Sequence, residues 1–408
     1  MSSDKVDDEA TPSHGRLLAI CCAVAFAGYF GTNIRMPVVP LFARSLGLGP
    51  ADIGAISSVF FLVAGVLSFP VGGLSDRLGR RPVAVGGLVF VAAGSALLYL
   101  SSGFATLVAS HLLLGVGIAA FGPTMMSLAV DSSPPTHLGR TFGWYTTALY
   151  SGMSLGPGFG GLLARHLGYR PVFLVSLILA VGVIGVAVRV LPAPRPVNGG
   201  RPGGLFPRGG LRRLVSNPAL MGCWLAVMGG CFGLGMFITF FPLHGQERGL
   251  SVAQIGLAFF VQGGVNAVSR IPLGRWTDQV SDRRGLVVLG LAGFAAALVG
   301  LGVSRSPAGF YFWSAAMGMS MALAFTSVGA LTAAAAPPDL RGLAMGGYNT
   351  CLFAGMMLNA ALMGKIAQTH GFAVGFSVAA VVNVTVAGGF LLLTRRLRPQ
   401  AKVVVESG

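Results

Sequence analysis

The sequence predicts an all-α membrane protein with twelve transmembrane helices in two six-helix bundles of like orientation. Hydrophobic residues make up 54% of the 408 residues and charged residues 10%, with a mean hydropathy of +0.76, whereas soluble domains carry about a quarter charged residues. The apolar residues gather into stretches long enough to cross a hydrocarbon core of roughly 30 Å. Landmarks of the first half also recur in the second half, which indicates a duplicated architecture.

The apolar stretches define the twelve spans and the domain organisation. The spans lie near residues 17–41, 52–73, 82–100, 106–130, 141–164, 171–191, 218–243, 252–273, 285–303, 308–333, 343–368 and 372–394. They divide the chain into an N-terminal tail (1–16), a first six-helix bundle (17–191), a linker (192–217), a second six-helix bundle (218–394) and a C-terminal tail (395–408).

The distribution of basic residues predicts the orientation in the membrane. With the N-terminus placed inside, cytoplasmic segments hold 20 of the 28 Lys and Arg residues, outer loops hold six, and two lie within spans. This asymmetry follows the positive-inside rule and places both termini in the cytoplasm. The net charge of +16 therefore reflects topology, and nucleic acid is not a predicted partner.

The densest basic stretch predicts a flexible cytoplasmic linker. Residues 189–213 combine arginines with several prolines and glycines, which disfavour regular structure. A polybasic contact with anionic lipid is the alternative interpretation of the same residues.

The sequence predicts no metal, no cofactor and no enzymatic activity. All five cysteines fall within spans without metal-ligand spacing, so they are interpreted as small buried hydrophobic residues. No Ser/His/Asp grouping lies inside a span, and there is no phosphate-binding loop. The opening residues, Met1 to Gly15, are polar and acidic and predict no cleavable signal peptide.

A twelve-residue segment, 72–83, returns in altered form at 274–284. Gly72 and Asp76 recur 202 positions later as Gly274 and Asp278. Further pairs at an offset of 202 or 203 are Pro40 and Pro242, Pro70 and Pro272, and Tyr145 and Tyr348. Each half has six spans, so both halves enter the membrane in the same direction. This is a parallel repeat, in which the substrate lies between the halves near the membrane midplane.

With these motifs, the chain resembles the major facilitator superfamily over nearly all of residues 17–394. Residues 72–81 resemble the family's signature between spans two and three. A second signature, in span five, resembles the antiporter motif of the drug/proton exporters and comprises Gly143, Gly152, Gly156, Pro157, Gly160 and Gly161. Span eleven keeps Gly346 and Gly355 but has Asn359 and Ala360 where the Gly-Pro pair would stand. The resemblance implies transport by alternating access, more by proton-coupled export than by import, in a monomer of the bacterial inner membrane.

The first signature predicts a conformational latch. Asp76 precedes Arg80 by four residues, a spacing that allows an ion pair on a helix, and Asp131 at the inner end of span four is a second partner. The resemblance implies that the cluster holds the cytoplasmic side closed when the transporter opens outward; the alternative is that its positive charge only sets orientation. The candidate latch residues are Gly72, Asp76, Arg77, Arg80, Arg81, Asp131 and Asp278.

Residues that differ between the halves point to the substrate cavity. Arg35 in span one corresponds to Phe237, and Gln262, Asn266 and Arg270 follow one face of span eight. Charged groups within a span are costly and are usually functional. The alternatives are that Arg35 snorkels to the outer surface and that Arg270 anchors its helix. The candidate cavity residues are Tyr29, Asn33, Arg35, Trp144, Tyr145, Gln262, Asn266, Tyr348 and Asn349.

His111 in span four is the candidate for proton coupling. It stands four residues before Gly115, where the family's Leu-x3-Arg-x3-Gly pattern has an arginine associated with coupling. Histidine titrates near neutrality and can exchange protons there. A hydrogen-bonded polar group without a coupling role is the alternative.

The positions of the acidic residues indicate the charge of the substrate. None of the twelve Asp and Glu residues lies in the middle of a span, and a lipophilic cation would need such a counter-charge. The predicted function is therefore proton-coupled efflux of a small amphipathic molecule, neutral or anionic. The alternative is an importer or facilitator of an organic anion, sugar or metabolite.

Overall fold

The structure is a computed structural model that describes residues 14–131, 133, 138–191, 210–280 and 282–395. Its α-helices are α1 (His14–Asn33), α2 (Val38–Ser45), α3 (Pro50–Leu78), α4 (Arg80–Leu100), α5 (Phe104–Asp131), α6 (Leu138–Leu167), α7 (Tyr169–Val190), α8 (Gly210–Val215), α9 (Pro218–Glu247), α10 (Val252–Gln279), α11 (Arg284–Val303), α12 (Pro307–Ala335), α13 (Arg341–His370) and α14 (Phe372–Thr394). A 3₁₀ turn at Pro338–Leu340 precedes α13, and the described residues contain no strand.

The predicted all-α membrane fold is confirmed. A long helix stands at each predicted span, and most extend beyond it by a few residues. Within the described residues, eleven helical segments are long and apolar enough to cross a membrane. The remaining long helix is α6, whose glycines, serines and Pro157 lower its hydropathy.

Span one is broken, whereas the sequence analysis treated residues 17–41 as continuous. Pro37 has no N–H to donate, so the helical ladder stops and a turn of four residues follows Asn33. The Met36 N–H donates to the Asn33 carbonyl at 3.0 Å, and α2 restarts with donation to the Arg35 carbonyl. The break places Arg35 in a turn between two helices.

The first signature is helical rather than a loop. Helix α3 continues to Leu78 and α4 begins at Arg80, so the chain reverses at Gly79 alone. Gly79 has φ of +93°, a conformation that favours glycine. The predicted loop between spans two and three is therefore wrong, because a single glycine makes the connection and residues 72–78 remain in the helix.

Part of the predicted flexible linker is ordered as α8. Leu214 is fully buried against Leu220 and Leu340, and Arg213 forms an ion pair of 2.9 Å with Asp339. The predicted flexibility is thus wrong for residues 210–215, where an apolar contact fixes the helix, and the division into two bundles joined by a linker stays a prediction. Residues 192–209 lie outside the described part of the chain.

The two bundles contact each other at one end, which we call the closed end: the first residues of α3 and α10 and the last residues of α6 and α13. A Cβ atom on Gly54 would collide with the Ala360 carbonyl oxygen, and one on Gly161 would lie 2.6 Å from the carbonyl oxygen of Val252. Only glycine permits such approach of two backbones. Arg44 and Glu247 add an ion pair of 3.0 Å between the bundles.

The bundles separate toward the open end, formed by the last residues of α3 and the first residues of α6 and α13. A Cβ atom on Gly72, Gly143 or Gly342 would meet no atom within 4 Å. The same helices that pack tightly at the closed end therefore leave space at the open end. Among the described residues, close glycine contacts between the bundles therefore occur at the closed end, and none is found at these three glycines of the open end.

Candidate functional site

A cavity of about 440 Å³ lies between the two bundles. Its walls come from α1, α2 and the turn between them, α3, α5 and α6 of the first bundle, and from α9, α10, α12 and α13 of the second. Small-molecule sites have volumes of roughly 300–1,000 Å³, so the cavity suits a small ligand. Its polar lining residues are Tyr29, Thr32, Asn33, Arg35, Ser57, His111, Tyr150, Arg270, Tyr348 and Asn349.

Five of the nine predicted cavity residues, and the proton-coupling candidate, line this cavity. The five are Tyr29, Asn33, Arg35, Tyr348 and Asn349, and the sixth residue is His111. Trp144 does not contribute to the lining; its side chain is 58% exposed. Tyr145 is fully buried in an apolar cluster with Cys21 and Met125. Neither residue is among those that line the cavity, and their contribution to substrate binding stays a prediction.

Gln262 and Asn266 also lie outside the lining, at the contact between α10 and α12. The Asn266 amide nitrogen donates to the Gly318 carbonyl at 3.0 Å, and the Gln262 amide lies 3.5 Å from the Met321 sulfur. The Asn266 amide oxygen accepts a hydrogen bond of 3.1 Å from Nε of Arg270. In this structure, Asn266 therefore orients a cavity residue without lining the cavity itself.

Arg35 reaches the cavity from the turn in span one. Its side chain is buried, and Nη1 donates to the hydroxyls of Ser95 and Ser176 at 3.3 and 3.1 Å. Ser176 in turn donates to the Gly31 carbonyl at 2.6 Å. The serines solvate one nitrogen of a guanidinium that would otherwise be costly inside a membrane protein.

Arg270 reaches the same cavity from the opposite bundle. Its guanidinium carbon lies 4.1 Å from the centroid of the Tyr150 ring on α6, well within the range of a cation–π contact. Asn266 fixes Nε, as described above. The arginine therefore has a defined orientation at the boundary between the bundles.

His111 is buried and has a defined tautomer. Its Nδ1 lies 2.9 Å from the Leu107 carbonyl oxygen, and a carbonyl oxygen only accepts, so Nδ1 carries the proton. The ring meets Phe60 edge-on at 6.3 Å. The neutral ring therefore keeps Nε2 as its basic atom.

No carboxylate is among the residues that line the cavity. The carboxylates whose side chains the structure describes stand at helix ends or in connections: Asp52, Asp76, Asp131, Glu247, Asp282 and Asp339. The described residues also contain no group of three or more His, Cys, Asp or Glu that would hold a metal ion. The lining charges are those of the two arginines, with His111 as a titratable neighbour.

The predicted latch residues of the first half meet at Arg80. Its Nε donates to Asp131 at 2.9 Å, and Nη1 lies 2.5 Å from Asp76 and 2.7 Å from the Ser75 hydroxyl. Arg81 donates to the Val188 carbonyl at the end of α7. Arg77 lies in the last turn of α3, and Gly72 faces open space. The cluster joins α3, α4 and α5 within the first bundle.

The second half carries a different ion pair at the equivalent end. Arg284 binds Asp282 at 2.7 Å, and this hydrogen bond holds the pKa of Asp282 below its ordinary value. Asp278 falls in the last turn of α10, and its side chain lies outside the described part of the structure. The repeat thus preserves charge at this end with a changed geometry.

The glycines of the span-five motif contact two partners. Cβ atoms on Gly152 and Gly156 would lie 2.6 and 2.9 Å from the carbonyl oxygens of Phe26 and Phe30, and one on Gly160 would collide with Ile34. These three face α1, whereas Gly161 and the Pro157 carbonyl face α10 at Gly256. Gly143 has no such neighbour. The motif therefore sets two close helix contacts, one within the first bundle and one between bundles.

Three pairs of cavity residues escaped the sequence analysis although the repeat contains them. They follow the 203-residue offset and lie on α6 and α13, and all six residues line the cavity. The pairs are Leu149 and Leu352, Tyr150 and Phe353, and Met153 and Met356. The shared pattern of a leucine, an aromatic residue and a methionine would have identified them. The sequence analysis gave most weight to residues that differ between the halves.

Comparison with known proteins identifies the family. The model of the Major Facilitator Superfamily matches residues 21–268 and 223–407. An uncharacterized MFS-type transporter of Burkholderia mallei is 26% identical over 99% of this chain and 98% of its own length. The quinolone resistance protein NorA of Staphylococcus aureus is 28% identical over 41% of this chain and 42% of its own length.

Two solved structures share the fold. A bacterial homolog of the human lysosomal transporter Spinster, in an inward-facing and unoccupied conformation, has a TM-score of 0.77 at 16% identity and covers 95% of this chain and 98% of its own. The human organic anion transporter MFSD10 has a TM-score of 0.64 at 18% identity, covering 93% and 100%. Members of the matched family are transporters and not enzymes, as predicted. With its two signatures, its repeated bundles and its match to the family model along the whole chain, this multi-pass membrane protein belongs to the Major Facilitator Superfamily.

Proposed function

We propose that this transporter exports small amphipathic molecules, neutral or anionic, across the bacterial inner membrane in exchange for protons, as a monomer. The cavity carries the proposal: it lies between two repeated bundles, is sealed at the closed end and combines apolar walls with two arginines and a histidine. A site that opens to one side at a time is what alternating access requires. The closed end would face the outside and the open end the cytoplasm.

The charge of the helix ends supports this orientation. Arginines cluster at the open end, at the junction of α3 and α4, at the start of α11 and in α8. The positive-inside rule assigns such an end to the cytoplasm. In this conformation the cavity would then accept its ligand from inside the cell, which is the loading step of an exporter.

His111 supports proton coupling. It is the histidine among the cavity-lining residues, and its Nε2 can take up a proton. Protonation would add a positive charge to a cavity that already contains two arginines, and so alter the balance between conformations. The span-five glycines, which hold α6 against α1, support the comparison with antiporters.

Expression in an efflux-deficient bacterium tests the proposal. Cells that carry the protein should accumulate less of one or more amphipathic dyes than cells with an empty vector, and a proton uncoupler should abolish the difference. The measurement is dye fluorescence per cell, with the protein quantified in membranes. Uncoupler-insensitive entry of labelled metabolites, without dye efflux, would contradict export and favour the facilitator.

Matched histidine variants refine this test. His111→Gln should lower uncoupler-sensitive efflux about a hundredfold, the lower end of the range expected for loss of a proton-transfer group. His166→Gln, an exposed histidine in the last turn of α6, should retain wild-type efflux. Wild-type efflux with wild-type uncoupler sensitivity in the His111 variant would exclude His111 as the coupling site.

A further inference from the structure

We infer that the cavity binds an amphipathic organic anion, with its acid group on Arg270 alone and its apolar body between α6 and α13, on the side of Arg270 that faces the closed end. The inference rests on the proposed transport function and narrows its substrate class from neutral or anionic to anionic. The ligand carries one acid group, such as a carboxylate, sulfonate or phosphate, on a small hydrophobic frame.

Arg270 presents one edge of its guanidinium group for an acid. Its Nε donates to the Asn266 amide oxygen at 3.1 Å, and its guanidinium carbon lies 4.1 Å from the centroid of the Tyr150 ring. Among the described residues, the terminal nitrogens Nη1 and Nη2 have no protein acceptor. Such a pair of nitrogens forms a fork that fits the two oxygen atoms of a carboxylate or phosphate. The contacts with Asn266 and Tyr150 therefore hold this edge in a defined orientation.

Arg270 also lacks a counter-charge in the described part of the protein. The residues that line the cavity include no Asp or Glu, and Arg270 forms no ion pair with any residue that the structure describes. A cation within a membrane span is costly unless a partner compensates it. The acid group of an anion would compensate it, whereas a lipophilic cation would be repelled.

Arg35 does not share this acid group, because it lies much nearer the closed end. Its neighbour Ile34 packs against Gly160, which stands ten residues after Tyr150 on α6. Ten residues extend roughly 15 Å along a helix. Nη1 of Arg35 donates to two serines on α4 and α7, neither of which lines the cavity. The acid site is therefore the one at Arg270.

Two further polar residues stand at the depth of Arg270. Tyr348 and Asn349 line the cavity, seven and eight residues after the first residue of α13, and Arg270 stands nine residues before the last residue of α10. At 1.5 Å per residue, all three are roughly 10–14 Å from the open end. The Tyr348 hydroxyl and the Asn349 amide have no hydrogen-bond partner among the described residues. This part of the cavity therefore offers polar surroundings to the acid group.

The apolar part of the ligand has two matched walls immediately beyond Arg270. Each wall consists of a leucine, an aromatic residue and a methionine, 11 to 15 residues after the first residue of its helix and thus roughly 16–23 Å from the open end. The six residues are Leu149, Tyr150 and Met153 of α6 and Leu352, Phe353 and Met356 of α13. Methionine adapts to different shapes, and aromatic rings offer flat contact surfaces. The walls therefore suit a compact hydrophobic frame whose acid group points toward the open end.

The ligand site lies at the boundary between the bundles, which gives the anion a conformational effect. Arg270 and Tyr150 belong to opposite bundles, and so do the two apolar walls. A ligand that contacts both walls binds best when the walls approach each other. It would therefore favour an occluded state, because a ligand shifts a conformational equilibrium through its different affinity for the two states.

The test compares probes that share one ring system and differ in charge. The purified wild-type protein, in nanodiscs of zwitterionic phosphatidylcholine so that no anionic lipid competes, is titrated by calorimetry. The acids are 2-naphthoate, 2-naphthalenesulfonate and 2-naphthyl phosphate; 2-naphthamide is neutral and 2-naphthylmethylammonium is cationic. At least one acid should bind about tenfold more tightly than the amide, since a hydrogen bond to a charged group is typically worth that much. The ammonium compound should bind more weakly than the amide.

Variants separate the acid site from the apolar walls. Arg270→Gln should weaken binding of the acid about tenfold and leave the affinity for 2-naphthamide unchanged. Leu149→Ala should weaken binding of the acid and of the amide by the same factor, about tenfold, because both share the ring system. Arg275→Gln is the matched control and should bind as wild type does, because Arg275 is an exposed arginine of the same helix that does not line the cavity.

Protection from chemical modification tests the site in the wild-type protein, whether or not the glutamine variant folds. Phenylglyoxal modifies arginine side chains, and peptide mass spectrometry measures the rate at each position. Saturating 2-naphthoate should slow modification of Arg270, whereas 2-naphthamide at the same concentration should slow it less. Modification of Arg275 should proceed at the same rate in each case.

Failure of all three acids to bind, equal affinity for the acids and the amide, unchanged acid binding in a folded Arg270→Gln variant, or unprotected Arg270 would each overturn the inference. These outcomes are distinct from failure of the proposed export, because binding and protection are measured without a proton gradient and without a direction of transport. Selective acid binding in a protein that does not export dyes would retain the anion site and refute export.

Discussion

Arg80 is the residue on which the open-end cluster of the first bundle depends. Its guanidinium contacts Asp76 on α3 and Asp131 on α5, so one side chain joins three helices at the end that must close in an outward-open state. The side chain of Arg80 is 18% exposed, whereas those of Asp76 and Asp131 are 58% and 47% exposed. Ion pairs this accessible contribute about 1 kcal/mol or less, enough to bias a conformational equilibrium without fixing it.

Neutralising Asp76 tests this role. Asp76→Asn should insert into the membrane at the wild-type level but lower the rate of dye efflux by up to about fivefold, since loss of a contact worth about 1 kcal/mol shifts the balance between the conformations by about that factor. The measurement is efflux per unit of membrane protein. Asp339→Asn removes a partner of an exposed ion pair with α8 and should pump normally. Full efflux in the Asp76 variant would exclude the proposed role of Asp76 as a latch residue.

At the residue scale, sequence spacing predicted which residues form an ion pair better than it predicted which side chains face the cavity. The four-residue spacing of Asp76 and Arg80 was sufficient to predict their ion pair. Arg35 and Tyr29, which the sequence analysis selected as polar residues of span one, both line the cavity. Sequence does not fix the rotation of a helix about its axis when most of its faces are apolar, so it could not show that Trp144 and Tyr145 stand outside the lining. The repeat would have supplied that rotation through Tyr150 and its counterpart Phe353.

Helix α6 acts as a structural element through its glycines. Gly152, Gly156 and Gly160 form a strip that receives the backbone of α1, while Gly161 receives α10 of the other bundle. A methyl group on this strip would have to push two helices apart. The contact of α6 with α1 therefore lies within the first bundle, and its contact with α10 lies at the boundary between the two bundles.

Substituting one glycine of the strip tests this division. Gly160→Ala should lower stability by about 1–3 kcal/mol through overpacking, seen as a lower midpoint in thermal unfolding of the purified protein. Gly182→Ala on α7 is the matched control, because a Cβ there meets no atom within 4 Å, and it should unfold at or above the wild-type midpoint. Equal midpoints for the two variants would contradict the packing role.

At the element scale, the predicted spans match the helices, but their ends and interruptions do not follow from hydropathy. Apolar runs mark the membrane-buried part of a helix, and the helix continues beyond it for as long as hydrogen bonding permits. This is why α3 extends to Leu78 and turns only at Gly79. The turn after Asn33 lies inside an apolar run, so only Pro37 indicated that span one would break.

The whole molecule is held in this conformation by contacts at the closed end. Gly54 and Gly364 allow α3 and α13 to meet, and Gly161 does so for α6 and α10. The side chains of Arg44 and Glu247 are 41% and 45% exposed, so their ion pair contributes about 1 kcal/mol or less. The closed end is therefore held by close backbone packing and a weak ion pair, and it can open without disrupting the core of either bundle.

The parallel repeat explains why the overall architecture was predictable while the ligand was not. Two copies of one bundle that enter the membrane in the same direction enclose a cavity at the interface between them. The candidate ligand-binding residues Arg35 and Arg270 stand outside this symmetry, since they correspond to Phe237 and Ser68 in the other half. The sequence showed their charges and the lack of carboxylates in the middle of the spans, but only the structure shows their hydrogen-bond partners.

Distances between spin labels at both ends of the bundles test alternating access most directly. One pair, Ser45→Cys and Gln368→Cys, reports on the closed end, and the other, Leu78→Cys and Met345→Cys, reports on the open end, each in a variant whose five native cysteines are replaced by serine. Double electron–electron resonance is recorded in nanodiscs, from about pH 5 to about pH 8 to span the titration of histidine. The account predicts reciprocal changes, in which the first distance lengthens as the second shortens. Distances that stay fixed under every condition, or that lengthen together, would contradict it.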